Sequence, residues 1–332
     1  MADHPNRNDE QMSANEGRPA EGSAASRLTV AVSGAGGLVG KALVTSLKQR
    51  PCNVVRLVRR DADDSAGELR WDADVGIHDR TRIDQFDAVV HLAGENIAAG
   101  RWTAARKGRI RSSRVDGTTA LCRSLASANS PPRVLVCASA IGFYGDRGDE
   151  VLDESSAPGE GFLADVCTAW ETATAAAKDS GIRVVNLRIG VVISRDGGAL
   201  SKMLTPFRLG AGGIVGSGRQ YWSWIALDDL VNAIEHTLEH DDLEGAVNAV
   251  GPQPLTNAEF TRVLGKVLRR PTIFPMPAFV ARLALGEMAD DLLLAGTRVE
   301  PKRLLASGFE FRYPGLRECL EHELNENTPE SE

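Results

Sequence analysis

Three glycines, Gly34, Gly37 and Gly40, stand at G-x-x-G-x-x-G spacing and carry the most direct chemical implication in the chain. They follow an apolar run, Leu28 to Val32, and lead into a helix that starts at about Leu38-Val39. In a strand–turn–helix unit each glycine has a separate role. The first allows the tight turn, the second lets backbone N–H groups approach a pyrophosphate, and the third lets the helix pack close to the sheet. The positive N-terminal end of that helix then faces the phosphates. A further strand, Asn53 to Val58, follows at βαβ spacing, so the pattern predicts dinucleotide binding over a plain tight turn.

The second strand runs into Arg59-Arg60. An acidic residue at this point would hold ribose hydroxyls and favour NAD, whereas guanidinium forks match a 2′-phosphate. The pair therefore predicts NADP(H). A solvated basic strand end is the plainer alternative, and Asp61, which follows at once, keeps NAD open.

Phe86 to Gly94 is a third clear apolar strand, and its small terminal residues Ala93 and Gly94 leave room for a cofactor at the strand's carboxyl end. His91 lies inside the apolar run and reads as a packed core histidine. A dense basic stretch, Arg101 to Arg114, precedes a helix expected over about Thr118 to Ala128. It reads as a solvated helix face, because the chain is acidic overall and no aromatic stacking set accompanies it. His236 and His240 match H-x-x-E-H, a zinc-peptidase pattern. Five residues match easily by chance and nothing else fits a protease, so no metal site is expected.

Composition sets the class. The net charge is −7, with 42% hydrophobic and 25% charged residues, ordinary for a globular protein and against a nucleic-acid partner. Five scattered cysteines, odd in number and never C-x-x-C, suit free thiols in a reducing compartment. No apolar run has the length of a membrane span and no signal-peptide core is seen, so a cytoplasmic protein without membrane contact is expected.

Further elements complete the frame. Arg133 to Cys137 and Arg183 to Leu187 read as strands, Phe162 to Lys178 as a helix, and Asp146 to Glu160 as a loop. Asp228-Asp229 read as helix starters for Leu230 to Leu238, and Thr256 to Glu259 as a capping box opening a helix to about Leu268. Strands alternating with helices predict an α/β fold, a Rossmann-type doubly wound parallel sheet. The expected division is a disordered tail over 1–26 and a nucleotide-binding domain over 27–250 with substrate-lobe loops at 195–224. A smaller C-terminal α+β lobe over 251–323 and a polar tail over 324–332 follow.

Together these pieces resemble the extended short-chain dehydrogenase/reductase superfamily, and more closely its atypical epimerase-like branch (NAD-dependent epimerase/dehydratase type, sometimes labelled cell-division-inhibitor-like). The match is carried by Ser33 to Gly40, His91 to Ile97, Ser139 to Gly145, Arg188 to Val192, Gly216 to Gly218 with Trp224-Ile225, and Thr256 to Phe260. The resemblance implies that Leu92 and Ala93, with Arg114 and Val192, also contact NADP. It implies an oxidoreductase or epimerase-like enzyme for a small carbonyl or sugar-like substrate. Active members use a Ser/Thr and a Tyr-x-x-x-Lys pair, in which the lysine lowers the tyrosine pKa. Alignment on Glu171 puts Leu163 at the tyrosine position and Cys167 at the lysine position, with Ala140 at the serine position and Ser139 beside it. No catalytic residue is assigned; Ser139 and Tyr144 are weak candidates, Cys167 another, while Asp165 and Glu171 read as helix-surface charges. The alternative is a non-catalytic NADP(H)-binding redox sensor or partner-binding module.

Overall fold

The computed structural model describes Met1 and residues 27–325, so the expected tails fall almost wholly outside the described residues. One eight-stranded sheet organises the chain. Its strands are β1 (Leu28–Ser33), β2 (Cys52–Val58), β3 (Glu68–Asp72), β4 (Gly76–Ile77), β5 (Ala88–His91), β6 (Val134–Ala140), β7 (Arg183–Ile189) and β8 (Gly245–Ala249). They lie in the order β8-β7-β6-β5-β1-β2-β3-β4, parallel throughout except for the β3–β4 pair. The order reverses between β1 and β5, and the crevice beyond the strand ends at such a point is where ligands bind in doubly wound sheets.

The central strands β1, β5 and β6 are largely apolar on both faces because both faces are covered. Val30 and Val32 pack with Leu43 and Leu47 of helix α1 (Leu38–Leu47), while Ala31, between them, packs on the opposite side. That opposite side carries Leu121 and Leu125 of α2 (Ala104–Ala126) and Trp170 of α3 (Phe162–Thr172). Helix α4 (Leu227–Glu239) joins α1 on the first face through Leu230 and Ile234. A separate core unites segment 195–224 with the C-terminal helices: Leu204, Phe207 and Trp224 pack with Phe260 and Leu264 of α5 (Asn257–Leu268) and Leu320 of α6 (Leu316–Asn325).

Several boundaries differ from the sequence reading. The basic stretch is itself helical: α2 begins at Ala104, with the Thr103 hydroxyl accepting the Arg106 N–H at 3.2 Å. Alanine, arginine and lysine are good helix formers, but they leave no apolar stripe to betray the period. The helix expected over Phe162 to Lys178 breaks after Thr172, where the Thr174 hydroxyl donates to the Glu171 carbonyl at 2.7 Å. Asp229 does not cap α4. It is buried within that helix and accepts the backbone N–H groups of Arg312 and Tyr313 at 2.7 and 3.0 Å, tying the C-terminal segment down. The capping box is present as expected at the start of α5, and α6 continues through residues 324 and 325.

Candidate functional site

The glycine turn sits where β1 and β5 part. Gly34 has φ +70°, and a Cβ there would lie 2.7 Å from the Leu92 carbonyl carbon, so the turn admits only glycine. A Cβ on Gly40 would lie 2.2 Å from the Gly34 oxygen, which fixes how closely α1 approaches the turn. Gly37 occupies the N-cap of α1 with no side-chain cap, and the first turn holds no acidic residue. Gly36 faces open space. The result is an uncapped helix N-terminus of the kind that receives phosphate oxygens. A two-residue turn at 195–196 folds back toward it, and Gly197 packs against the side chain of Leu38.

At the end of β2 the two arginines separate. Arg59 is exposed and has no side-chain partner among the described residues. Arg60 instead donates to the buried carboxylate of Glu68 at 2.6 Å and to the Asp61 carbonyl at 2.9 Å. Parallel pairing of Arg56 with Glu68 explains this, because it brings the Glu68 carboxylate beneath both Arg56 and Arg60. Asp61, the residue that kept NAD open, accepts from Arg70 at 2.8 Å.

Beyond β5, the Leu92 N–H reaches the Ser33 hydroxyl at 3.2 Å, locking the floor of the crevice. His91 is fully buried, with Nδ1 2.6 Å from the same hydroxyl and its ring edge-on to Trp71; burial drives its pKa down to about 4. The missing side chain of Gly94 faces the Arg114 guanidinium, which a Cβ would approach to 3.3 Å. Arg114 is itself largely buried, donating to the carbonyls of Glu95 and Ile110 at 3.0 and 3.2 Å and lying over the Trp170 ring. Gly94 thus makes room for an arginine of the protein. Val192 sits on a short strand, Val191–Ser194, that pairs with Trp224–Ala226.

The weak catalytic candidates belong to one buried chain of hydrogen bonds. Ser139 donates to Glu171 Oε1 at 2.8 Å. Arg188 Nε and Nη2 grip both oxygens of Glu171 at 2.8 and 2.9 Å, and its Nη1 donates to the Tyr144 hydroxyl at 2.9 Å. Tyr144 donates in turn to Asn248 Oδ1 at 2.7 Å, and the Arg188 guanidinium covers the Phe143 ring at 3.4 Å. Burial raises the Tyr144 pKa although Arg188 opposes it. Glu171 is therefore no helix-surface charge. Arg188 and Asn248 were not singled out from sequence as site residues; the available signal was an arginine inside the strand Arg183–Ile189, where a buried charge demands a partner.

Leu163 and Cys167 both face the end of β6, with the Leu163 Cβ and the Cys167 sulfur 3.2 and 3.8 Å from where a Cβ on Gly142 would stand. Burial, reinforced by Glu171, pushes the Cys167 thiol up to about 12, which rules out an easily ionised acid. His236 and His240 stack on each other at 3.5 Å, with His236 Nε2 bonded to the Ser307 hydroxyl at 2.8 Å. Among the described residues no group of three or more His, Cys, Asp or Glu is placed to hold a metal ion.

The sequence model of the NAD dependent epimerase/dehydratase family matches residues 30–251, and a domain of unknown function, DUF1731, matches residues 276–323. The chain belongs to the NAD dependent epimerase/dehydratase family. An epimerase family protein of Mycobacterium tuberculosis is 44% identical over 88% of this chain and 96% of its own length. The crystal structure of the human epimerase family protein SDR39U1 (isoform 2) with NADPH superposes with a TM-score of 0.83 at 34% identity, covering 90% of this chain and all of that one. A nucleoside-diphosphate sugar epimerase of Corynebacterium glutamicum gives a TM-score of 0.74 at 37% identity, over 90% of this chain and 58% of that chain. In this epimerase-family fold no helix among the described residues is long and apolar enough to cross a membrane.

Proposed function

We propose that the protein is an NADP(H)-dependent oxidoreductase or epimerase-like enzyme for a small carbonyl or sugar-like substrate. The observation that carries the cofactor choice is Arg59, exposed and unpartnered among the described residues at the end of β2. A free guanidinium suits the 2′-phosphate. The residues present fit the group. The uncapped α1 N-terminus, with Gly37, Leu38 and Val39, would hold the pyrophosphate, and the backbone of Leu92 and Ala93 would form the floor beside it. Arg60, Gly94 and Arg114 shape this site from behind, through Glu68 and the carbonyls of Glu95 and Ile110. The relative crystallised with NADPH supports this choice.

When bound, the nicotinamide supplies hydride chemistry. The protein's part is to orient the reactants and exclude water, with the Ser139–Glu171–Arg188–Tyr144 chain holding the end of β6 and α3 in place. In this reading Leu163 and Cys167 stand where a Tyr-Lys pair would act, so proton exchange does not use that pair. The engaged hydroxyls of Ser139 and Tyr144 favour a second reading, an NADP(H)-binding module without turnover. Five free cysteines, four of them buried, support placement in a reducing compartment such as the cytoplasm. Turnover separates the readings: loss of NADPH absorbance across a panel of small aldehydes, ketones and keto-sugars supports the enzyme. Tight NADPH binding with no consumption on any of them supports the module.

A further inference from the structure

The segment after α5 carries charge and apolar surface that the nucleotide site does not use. Lys266, Arg269 and Arg270 line one shallow depression with Arg262, Pro271 and Thr272. The first three have no side-chain partner among the described residues, and Arg262 stands near Glu259, whose carboxylate is engaged in the capping box. This cluster opposes the sign of a chain whose net charge is −7. Arg269 also holds the left-handed C-cap of α5 at φ 53°, the one described non-glycine residue with positive φ. Glycine would sit there without strain, so arginine at this position carries a conformational cost.

Directly beyond the cations the chain exposes an apolar band. Ile273 and Phe274 are 71% and 60% exposed, and Phe279 and Leu283, on the short helix Ala278–Leu285, are 69% and 75% exposed. Exposed apolar side chains that follow unpaired cations closely along the chain mark an interaction face. A second copy is a poor occupant, because a two-fold interface centred here would set the same cations against each other. Aromatic and aliphatic side chains next to arginine and lysine match an anionic lipid surface, where cations meet headgroups and apolar groups enter the acyl boundary.

We propose that this face docks the protein on an anionic lipid surface, with Lys266, Arg269 and Arg270 at headgroup level and Ile273, Phe274 and Phe279 inserted beside them. The test is flotation of the full chain with phosphatidylcholine vesicles, with and without added phosphatidylglycerol. The expected result is binding to the anionic vesicles only, weakened by salt. Arg269→Glu/Arg270→Glu lowers the partition by about 25-fold or more, since each basic residue at such a surface contributes roughly fivefold. Phe274→Ser/Phe279→Ser lowers it as well, while circular dichroism and NADPH binding of both variants stay as in the parent. Absence of binding to anionic vesicles overturns the proposal, as does binding that neither double variant weakens. A dimer in light scattering that Phe279→Ser abolishes, without vesicle binding, assigns the face to a second copy. Equal capture by a soluble acidic polypeptide assigns it to a protein partner.

Discussion

The carboxylate of Glu171 on α3 receives the guanidinium of Arg188 on β7 through two parallel hydrogen bonds of 2.8 and 2.9 Å, with Arg188 buried and Glu171 mostly so. This pair is the joint between α3 and the sheet at the edge of the candidate site. Its third and fourth partners, Ser139 and Tyr144, are the hydroxyls that sequence alone offered for chemistry. Breaking the pair by Arg188→Met leaves an uncompensated buried carboxylate and costs about 3–5 kcal/mol. The double variant Glu171→Leu/Arg188→Met regains most of that loss. Urea unfolding of the three proteins checks it; equal destabilisation of the single and double variants contradicts the assignment.

His91 makes stability depend on pH. Its pKa is about 4 in the folded chain against 6.5 when free, so below 6.5 the unfolded chain binds the extra proton. Stability is complete above pH 6.5 and is lost as the pH falls toward 4, by about 3 kcal/mol over the window. His91→Asn removes this contribution to the slope. The check is the urea midpoint measured across that window for both proteins.

The glycine turn gives a graded series. Gly34→Ala combines φ +70° with a Cβ 2.7 Å from the Leu92 backbone, so it disrupts the turn and abolishes nucleotide binding. Gly36→Ala meets nothing within 4 Å and leaves the fold intact, serving as the matched control. Thermal melts and nucleotide titration of both variants test the contrast.

Much of this architecture was legible because strong local signals agreed with the tertiary outcome. The apolar runs at β1, β5 and β6 are covered on both faces, and the Thr256–Glu259 box satisfies its own helix end. The missing pieces depend on partners distant in sequence. Arg60 is engaged by Glu68 on the neighbouring strand, and Asp229 is claimed by the N–H groups of Arg312 and Tyr313. The start of α2 was hidden for another reason: of its first seven residues only Ile110 is buried, so no apolar period marks it. Glu171 read as a surface charge because nothing local shows that Arg188, 17 residues further on, faces it.

The capping box offers a separate check on the C-terminal lobe. The Thr256 hydroxyl and the Glu259 carboxylate bond reciprocally at the head of α5, whose Phe260 and Leu264 fill the core beneath segment 195–224. Thr256→Ala costs about 1 kcal/mol in unfolding free energy. Chemical denaturation measures it, and an unchanged midpoint contradicts the role given to the cap.

The most direct test of the account is calorimetric titration of NADPH and NADH into the parent protein and the Arg59→Ala variant. The account predicts that the parent prefers NADPH and that Arg59→Ala removes most of that preference while NADH binding changes little, because a charge-assisted contact of about 1.5–3 kcal/mol is lost only for the phosphorylated cofactor. Equal affinity for the two cofactors in the parent, or a preference that survives the loss of Arg59, would contradict it.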